Sequence, residues 1–551
     1  MATSINELED ASNELEAALD EYLNACFVTP NLETTLGTQK IVCVPGSNDY
    51  ELIAKEYPRV ALFEKQIKQA KAAISASRNT SSVTVPVNAL PVEVLIRIFE
   101  FVANAESCKL GPRSQTYMKM PQYPVLLTHV CAHWRRIIIG TPLFWTHIDA
   151  APHLYNSKRL RDRTQTFIER AYHSTLDIHI STVYPTDEYW EATGLNEFLA
   201  PLIHRIQSLD LEISLEYTGI YDPQPSARDF CSSILSNCFG ANCMPGTLTQ
   251  VSLKTDAEYL FLEPAETNTH GNRLALEVPA SHLQNIWRCV TILRVDNLFP
   301  FWTSIAYSGL VELCLGTYDQ FNSGTISTYH LSQILSSSPQ LRVLHFGLHV
   351  VPTDNPSKAV LLSHLRILVL CPKTTNDLES ITRLLTLAPE PLHMTIYSPQ
   401  DNPDEAYITT EIARFFARSN IATLHFVGTT NCFKTLSLVS TLQTLAFTTY
   451  SGEDINTVLG CNKPHDLYPK RLHLLGIGDQ IDVAMGALVQ FVKMYMPQQF
   501  LIWGLYGIIC DQSPTKCSVT QIEQELSSTG ITSQVLLSEP PDPTEYSLMS
   551  F

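Results

Sequence analysis

The chain has 551 residues, of which 45% are hydrophobic and only 17% charged, so it can bury an extensive core and is not a disordered protein. Its 37 Lys and Arg residues stand against 55 Asp and Glu residues, which gives a formal charge of −18. Because an acidic surface repels phosphate groups and anionic lipids, we expect neither a nucleic acid nor a membrane among its partners.

The chain has the features of a protein of the cytoplasm or the nucleus. Its first residues lack the basic and apolar regions of a secretory signal, and its most apolar run, residues 500–510, is too short to span a bilayer. The 14 cysteines are scattered singly, and many lie in apolar segments. This is the usage expected for small buried side chains in a reducing compartment.

Two short apolar stripes predict a helical lead over residues 1–78. Within each stripe the residues follow one another in steps of three and four, as on one side of a helix. The first stripe is Ile5, Leu8, Ser12, Leu15, Leu19 and Tyr22, and the second is Val60, Phe63, Ile67, Ala70 and Ile74. The stretch between them contains Pro30, Pro45 and Pro58 and is not periodic. Each stripe covers fewer than three heptads, which is short for a stable coiled coil. The two helices either self-associate as a coiled coil or pack on each other or on the rest of the chain. The small polar residues 75–84 predict a linker.

Residues 86–102, PVNALPVEVLIRIFEFV, predict a helix that is apolar on more than one side. Pro91 suits the first helical position, where its missing N–H is not needed. One apolar stripe contains Leu95, Ile98, Phe99 and Val102. Val94 and Phe101 lie off this stripe. A helix that is apolar over most of its circumference is expected to pack against both its own domain and a partner.

Residues 125–139, VLLTHVCAHWRRIII, predict a second helix. Leu127, Val130, Cys131 and Trp134 have helical spacing, and Gly140 with Pro142 predicts the end of the helix. A short apolar segment, residues 143–149, follows.

Three motifs follow one another in this part of the chain. They are Leu-Pro-x-Glu-x-Leu-x-x-Ile-Phe at 90–99, Val-Cys-x-x-Trp-Arg-x-Ile at 130–137 and Thr-Pro-x-Phe-Trp at 141–145. In this order they resemble the F-box motif, in the form common in mushroom-type fungal F-box proteins, and we assign residues 86–148 to it. The sequence departs from the motif in two ways: the spacer 104–124 is longer than in compact F-boxes, and Phe144 replaces the usual Leu.

The resemblance implies that the chain docks on a Skp-type adaptor, which links F-box proteins to a cullin in a ubiquitin ligase. By this resemblance the candidate docking residues are Leu90, Pro91, Leu95, Ile98, Phe99, Val130, Cys131, Trp134 and Ile137. Of these, Pro91 and Ile98 are the residues that we most expect in the interface. The alternative is that the set only holds a three-helix unit together, and most of its members could do both.

Beyond residue 150, a recurring apolar-x-x-apolar-x-apolar triplet predicts a series of short strands. The triplets are Leu248-Val251-Leu253, Val290-Leu293-Val295, Leu310-Leu313-Leu315, Leu341-Leu344-Phe346, Leu365-Leu368-Leu370, Ile421-Leu424-Phe426, Leu442-Leu445-Phe447 and Leu472-Leu475-Ile477. Residues 392–396 predict a further, degraded strand. Most of these strands start at intervals near the repeat length of leucine-rich repeats, about 20–29 residues.

Helix-like stretches such as 330–346 and 379–391 lie between or before these strands, which is typical of a solenoid. The Asn or Cys that leucine-rich repeats place after the third apolar residue is missing, since Leu298, Tyr318 and His349 occupy the first such positions. We therefore predict an irregular leucine-rich-repeat-like solenoid over 160–537, with an unrelated α/β domain as the alternative. The Pro-rich, acidic residues 538–551 predict a disordered tail.

The predicted fold class is thus α+β or α/β, with N-terminal helices and a helical F-box before the solenoid. The sequence contains none of the common nucleophile, phosphate-binding or zinc-protease motifs. Cys238 and Cys243 come nearest to the spacing of zinc ligands, but no second pair follows at a usual distance. We therefore expect no enzyme, cofactor or metal.

These features favour the substrate-recognition adaptor of a Skp–cullin–F-box ubiquitin ligase, whose solenoid binds a client protein. One alternative is an F-box scaffold or regulator that acts outside a ligase. A less favoured alternative is an enzyme whose catalytic residues are dispersed through an α/β domain.

Overall fold

A computed structural model of the chain describes most of its residues in two compact units, Met1–Val85 and Pro86–Phe551. The described residues are 2–28, 48–80, 85–104, 122–150, 158–183, 192–214, 225–255, 260–266, 272–316, 324–353, 358–398, 409–427, 439, 441–448, 474–478, 483–495, 497–503, 508–509 and 518–536. The predicted tail 538–551 and most of the spacer 104–124 lie outside them. None of the described helices is long and apolar enough to cross a membrane.

The first unit contains two long helices, α1 (Ala2–Val28) and α2 (Asn48–Thr80). The ring of Tyr22 meets the ring of Phe63 edge-on with 6.1 Å between centroids, and its hydroxyl donates to Glu56 Oε2 at 3.1 Å. The two helices therefore contact each other through the predicted stripes, as one of the two interpretations requires. Leu8 and Leu15 remain half exposed.

Helix α2 is longer than its apolar stripe predicts. It includes Pro58, which the sequence places in a non-periodic stretch, and it continues to Thr80 through half of the predicted linker. The linker prediction is wrong for residues 75–80. Ala76 and Arg78 favour helix there, and an existing helix can continue along the surface without an apolar stripe.

The second unit begins with short helices and continues into alternating strands and helices. Its α-helices are α3 (Val92–Asn104), α4 (Ala132–Gly140), α5 (Lys158–Arg170), α6 (Ala192–Leu199), α7 (Pro225–Cys238), α8 (Ala280–Trp287), α9 (Thr328–Ser337), α10 (Thr375–Leu384), α11 (Thr410–Arg418), α12 (Met485–Tyr495) and α13 (Val519–Ser527). Single 3₁₀ turns lie at Pro86–Ala89, Leu126–His129, Pro142–Trp145, Ile203–Arg205 and Ile305–Tyr307. The helices α9 and α10 overlap the first parts of the two predicted helix-like stretches, 330–346 and 379–391, whose later residues include the strands Val343–Phe346 and Leu385–Leu387.

A parallel sheet of 14 described strands dominates this unit, and the order of its strands follows the chain. With strands numbered along the sequence, it consists of β1 (His147–Ala150), β2 (Leu176–Val183), β3 (Ile206–Ser214), β4 (Gln250–Thr255), β7 (Ile292–Asp296), β9 (Glu312–Leu315), β11 (Val343–Phe346), β14 (Ile367–Leu370), β16 (Leu392–Tyr397), β17 (Ile421–Val427), β18 (Thr444–Thr448), β19 (Leu474–Gly478), β21 (Gln499–Trp503) and β23 (Thr532–Leu536). The protein therefore mixes α-helices with a large parallel sheet, and the predicted α+β or α/β class is confirmed at that level.

Smaller parallel sheets accompany the main one. They contain β5 (Leu260–Pro264), β6 (Arg273–Leu276) and β8 (Leu298–Pro300), then β10 (Thr325–Ser327) with β12 (His349–Val351), β13 (Val360–Leu362) with β15 (Leu385–Leu387), and β20 (Val483–Ala484) with β22 (Ile508–Ile509). The strands β5 and β6 lie between the predicted triplets that begin at Leu248 and Val290, and β8 follows the second of these triplets.

The second and third residues of the predicted triplets form two continuous rows across the main sheet. The first row is Ile148, Ile178, Leu209, Val251, Leu293, Leu313, Leu344, Leu368, Met394, Leu424 and Leu445, each paired with the next. All of these side chains are at most 1% exposed. Because alternate residues of a strand share one face, this row and its neighbour two residues later form the apolar core of the sheet.

The opposite face of the sheet carries polar and ionisable side chains in the same register. One row reads Asp149, His179, Asp210, Ser252, Arg294, Cys314 and His345. Arg294 Nε donates to Glu312 Oε1 at 2.6 Å, and burial raises the pKa of Glu312 although Arg294 acts against this. Burial also lowers the pKa of His345 to about 4.

The cysteines in the described residues are free thiols. Cys314 and Cys371 are buried, as their apolar context predicts, whereas Cys131 and Cys289 are half-buried. Burial raises the pKa of Cys238 to about 12 and that of Cys243 to about 11, so both are protonated at neutral pH.

Candidate functional site

The described residues between Pro86 and Trp145, which are 86–104 and 122–145, form a small helical unit with its own packed centre. Phe99 on α3 is 1% exposed and lies against Trp134 on α4, with 4.6 Å between ring centroids. The Trp134 ring also donates through Nε1 to Asn88 Oδ1 at 2.8 Å, which ties the first 3₁₀ turn to α4. Phe144, the residue that departs from the motif, is buried with its ring 6.4 Å from that of Phe99.

The unit runs directly into the main sheet. Trp145 is fully buried, and its Nε1 donates to the carbonyl oxygen of Ile138 at 2.8 Å. Phe167 on α5 meets the Trp145 ring edge-on at 4.9 Å, and Arg170 lies over that ring at 4.3 Å. Strand β1 begins two residues later, at His147, so little chain separates the helical unit from the sheet.

The second predicted helix is two shorter helices. The chain forms the 3₁₀ turn Leu126–His129 and then α4, and Cys131 between them has extended backbone with φ −156° and ψ 168°. The Cys131 sulfur accepts from the backbone N–H of Trp134 at 3.4 Å, so this residue caps α4. The prediction of one helix over 125–139 is wrong because its stripe includes this capping position.

Helix α3 has two different apolar faces. Leu95 and Phe99 are 0% and 1% exposed and point into the helical unit. Val94, Ile98 and Phe101, at positions i, i+4 and i+7, are 43%, 37% and 77% exposed. The predicted stripe groups Ile98 with Leu95, but Ile98 does not share the buried face. It belongs to a neighbouring, exposed stripe with Val94 and Phe101, the two residues that the sequence places off the predicted stripe.

Large apolar side chains are exposed at many positions of this unit. We call the following set the apolar surface: Leu90, Val92, Val94, Ile98, Phe101, Leu126, Val130, Ile139 and Leu143. These nine lie within a segment of 54 residues, whereas the whole described chain from Lys158 onward has only five such side chains. Monomeric proteins seldom leave so many large apolar side chains exposed in one short segment.

The structure separates the predicted docking residues by their accessibility. Leu90, Pro91, Ile98 and Val130 are exposed, and Cys131 and Trp134 are half-buried. Leu95, Phe99 and Ile137 are buried at 0%, 1% and 8% exposure and belong to the centre of the helical unit. The first four are the members of the set that are exposed enough to contact a partner, with Leu90 at 38%, Ile98 at 37% and Val130 at 56% exposure.

Six members of the apolar surface are missing from the sequence-based set, namely Val92, Val94, Phe101, Leu126, Ile139 and Leu143. The signal for Val94 and Phe101 is present in the sequence, since these residues and Ile98 form a second stripe with helical spacing. The positions in the 3₁₀ turns have no such periodicity and could not be found in this way.

Comparison with protein-family models gave no match for this chain, and comparison with curated proteins gave none either.

Proposed function

We propose that the chain is an F-box substrate-recognition adaptor, which docks through the apolar surface on a Skp-type adaptor and binds a client protein with its sheet region. The observation that carries the proposal is the two-sided character of α3. Leu95 and Phe99 are buried in the core of the helical unit itself, while Val94, Ile98 and Phe101 remain exposed on the same helix. Burying those three side chains against a partner would be favourable by the hydrophobic effect.

The charges around this helix fit a docking role. Glu100 and Arg97 on α3 form an ion pair at 2.8 Å, and the Arg97 side chain is 78% exposed. The exposed stripe therefore has a polar border, which is the usual arrangement of an interface with an apolar centre.

The sheet region supports the proposal of a leucine-rich-repeat-like solenoid. Its 14 described strands are ordered as in the chain, all neighbours are parallel, and helices occur between many of them. Successive units that contact mainly their neighbours are typical of solenoids.

The short connection between the helical unit and the sheet gives the proposal a mechanism. Trp145 anchors the end of the helical unit, and Ile148, three residues later, belongs to the apolar core of the sheet. A client on the sheet would therefore be held in a fixed geometry to the docked adaptor and to the ligase beyond it. Such an arrangement accelerates ubiquitin transfer by raising the effective concentration of the client's lysines.

Co-purification with a recombinant Skp-type adaptor tests the proposal. We expect the wild-type chain to bind, and Ile98→Asp to lose binding while its melting temperature stays close to that of the wild type. Leu361→Asp is the matched control, since Leu361 is 60% exposed but lies on β13, and it should bind like the wild type. A wild-type chain that does not bind, or an Ile98→Asp variant that binds normally, contradicts the proposal.

Recovery of a cullin with the bound adaptor separates a ligase subunit from an F-box scaffold that acts outside a ligase. The cullin should co-purify with the wild-type complex and be absent with Ile98→Asp. Adaptor binding without any cullin would favour the scaffold.

A further inference from the structure

Four ionisable side chains form a compact group on the first two strands of the sheet. His147 and Asp149 lie on β1, and Asp177 and His179 on β2, with His147 paired with Asp177 and Asp149 with His179. Because alternate residues of a strand point to the same side, all four share the polar face of the sheet. The group thus combines His-x-Asp on one strand with Asp-x-His on the next.

Three of these side chains direct their donor atoms to one point. Asp149 Oδ1 lies 3.0 Å from His147 Nε2 and 3.7 Å from His179 Nδ1. The three donor atoms all lie within 4.8 Å of one another. Two ligand atoms of a tetrahedral zinc ion, with bonds of about 2.0–2.1 Å, are separated by roughly 3.3 Å, a value between the two measured distances.

The fourth side chain orients the first. Asp177 Oδ2 lies 2.7 Å from His147 Nδ1, a distance at which the ring N–H donates to the carboxylate. When a metal ion binds, this hydrogen bond would keep the proton on Nδ1, so that Nε2 of His147, which faces Asp149, is the nitrogen that coordinates. A carboxylate that fixes a histidine in this way is the usual support of a metal-bound imidazole.

Burial and access also favour a cation at this point. The Asp149 side chain is only 2% exposed, and a buried carboxylate requires a positive partner. The side chain of His147 is 38% exposed and lies on the edge strand of the sheet, so an ion can enter from solvent.

We propose that His147, Asp149 and His179 bind a divalent first-row transition metal ion such as zinc, with Asp177 as a positioning residue. Two imidazoles and one carboxylate suit these metals better than calcium or magnesium, which prefer oxygen donors alone. The bound ion ties β1 to β2 directly after the helical unit. Sequence spacing does not indicate the site, because its ligands come from two strands 30 residues apart.

Metal titration of the full chain tests this site. The chain is freed of metal with a chelator and titrated with Co²⁺, whose visible absorption reports coordination, and Zn²⁺ is then added as a competitor. We expect one equivalent of Co²⁺ to bind to the wild type and to be displaced by Zn²⁺. His204→Gln, at an exposed histidine outside the group, should bind in the same way.

Two variants assign the ligands. His147→Gln should lose binding, and Asp177→Asn should weaken it about 10- to 100-fold, the usual effect of removing a carboxylate that supports a metal-bound histidine. Both side chains are partly exposed, so both variants should fold, which circular dichroism checks. Zinc should raise the melting temperature of the wild type but not that of His147→Gln.

A folded wild type that binds no Co²⁺ would show that the group is held together by hydrogen bonds and histidine charge alone, and would overturn the proposal. Equal binding by the wild type and His147→Gln would place any metal elsewhere and would also overturn it.

Discussion

The exposed ring of Phe101 gives the sharpest test of which side of α3 contacts an adaptor. A phenylalanine side chain can bury roughly 150–250 Å², and Phe101 is 77% exposed in the free chain. Truncation to alanine removes roughly 100 Å² of apolar area from an interface, which at about 25 cal/mol per Å² corresponds to about 2.5 kcal/mol of binding free energy. We therefore expect Phe101→Ala to raise the dissociation constant for a Skp-type adaptor roughly 70-fold.

The same change should leave the folded chain nearly intact. An exposed side chain contributes little to the folding core, so the free energy of unfolding should change by less than about 0.5 kcal/mol. Isothermal titration calorimetry measures the binding constant, and thermal unfolding measures stability. Leu361→Ala is the control, since it truncates a side chain of 60% exposure outside the helical unit. An unchanged dissociation constant for Phe101→Ala would refute the inference that the exposed stripe of α3 contacts the adaptor.

Two further predictions concern the interior. Phe99→Ala should lower the free energy of unfolding of the helical unit by about 3–5 kcal/mol because it leaves a cavity beside Trp134, and proteolysis of residues 86–145 measures this loss. His345 should make stability depend on pH. Its pKa is lowered to about 4 from 6.5 by burial, so the unfolded chain takes up a proton first and stability is lost as pH falls from 6.5 to about 4. The loss is at most about 3 kcal/mol, and His345→Gln should remove this part of the pH dependence of chemical unfolding. If the free energy of unfolding of His345→Gln depended on pH in the same way as that of the wild type, the assignment of this pH dependence to His345 would be contradicted.

The middle of the main sheet could be predicted from the apolar triplets. Leu313, Leu344 and Leu368 follow the pattern and pair across three adjacent strands, because a period of two specifies both the strand and its buried face. The strands toward the two ends of the sheet, β1, β2, β3, β21 and β23, were not predicted. Trp145-Ile148-Ala150 at β1 and Ile206-Leu209-Leu211 in β3 follow the pattern but lie outside the predicted series, whereas in β23 Ser533 stands at a position where the pattern needs an apolar residue.

The accessible side of the helical unit was harder to predict. Leu95 and Phe99 have the same spacing as Val94 and Ile98, so periodicity finds both stripes of α3 but cannot tell which of them the chain itself covers. That choice depends on Trp134, which reaches Phe99 from 35 residues away in the sequence. The cap formed by Cys131 likewise depends on local backbone geometry that no apolar pattern encodes.

The histidine and aspartate group on β1 and β2 could not be predicted from the sequence pattern either. His147 and Asp149 are adjacent on one side of a strand, but their partner His179 comes from the next strand. Only the pairing register brings the three donor atoms together, and the register is a property of the folded sheet.

Hydrogen–deuterium exchange of the full chain, with and without a recombinant Skp-type adaptor, tests the central claim most directly, because it locates the contact as well as detecting it. We predict slower exchange upon binding in α3 and in residues 126–143, and unchanged exchange in β9, β11 and β14 of the sheet. Adaptor binding that leaves exchange in α3 unchanged would contradict the assignment of the apolar surface as the docking site.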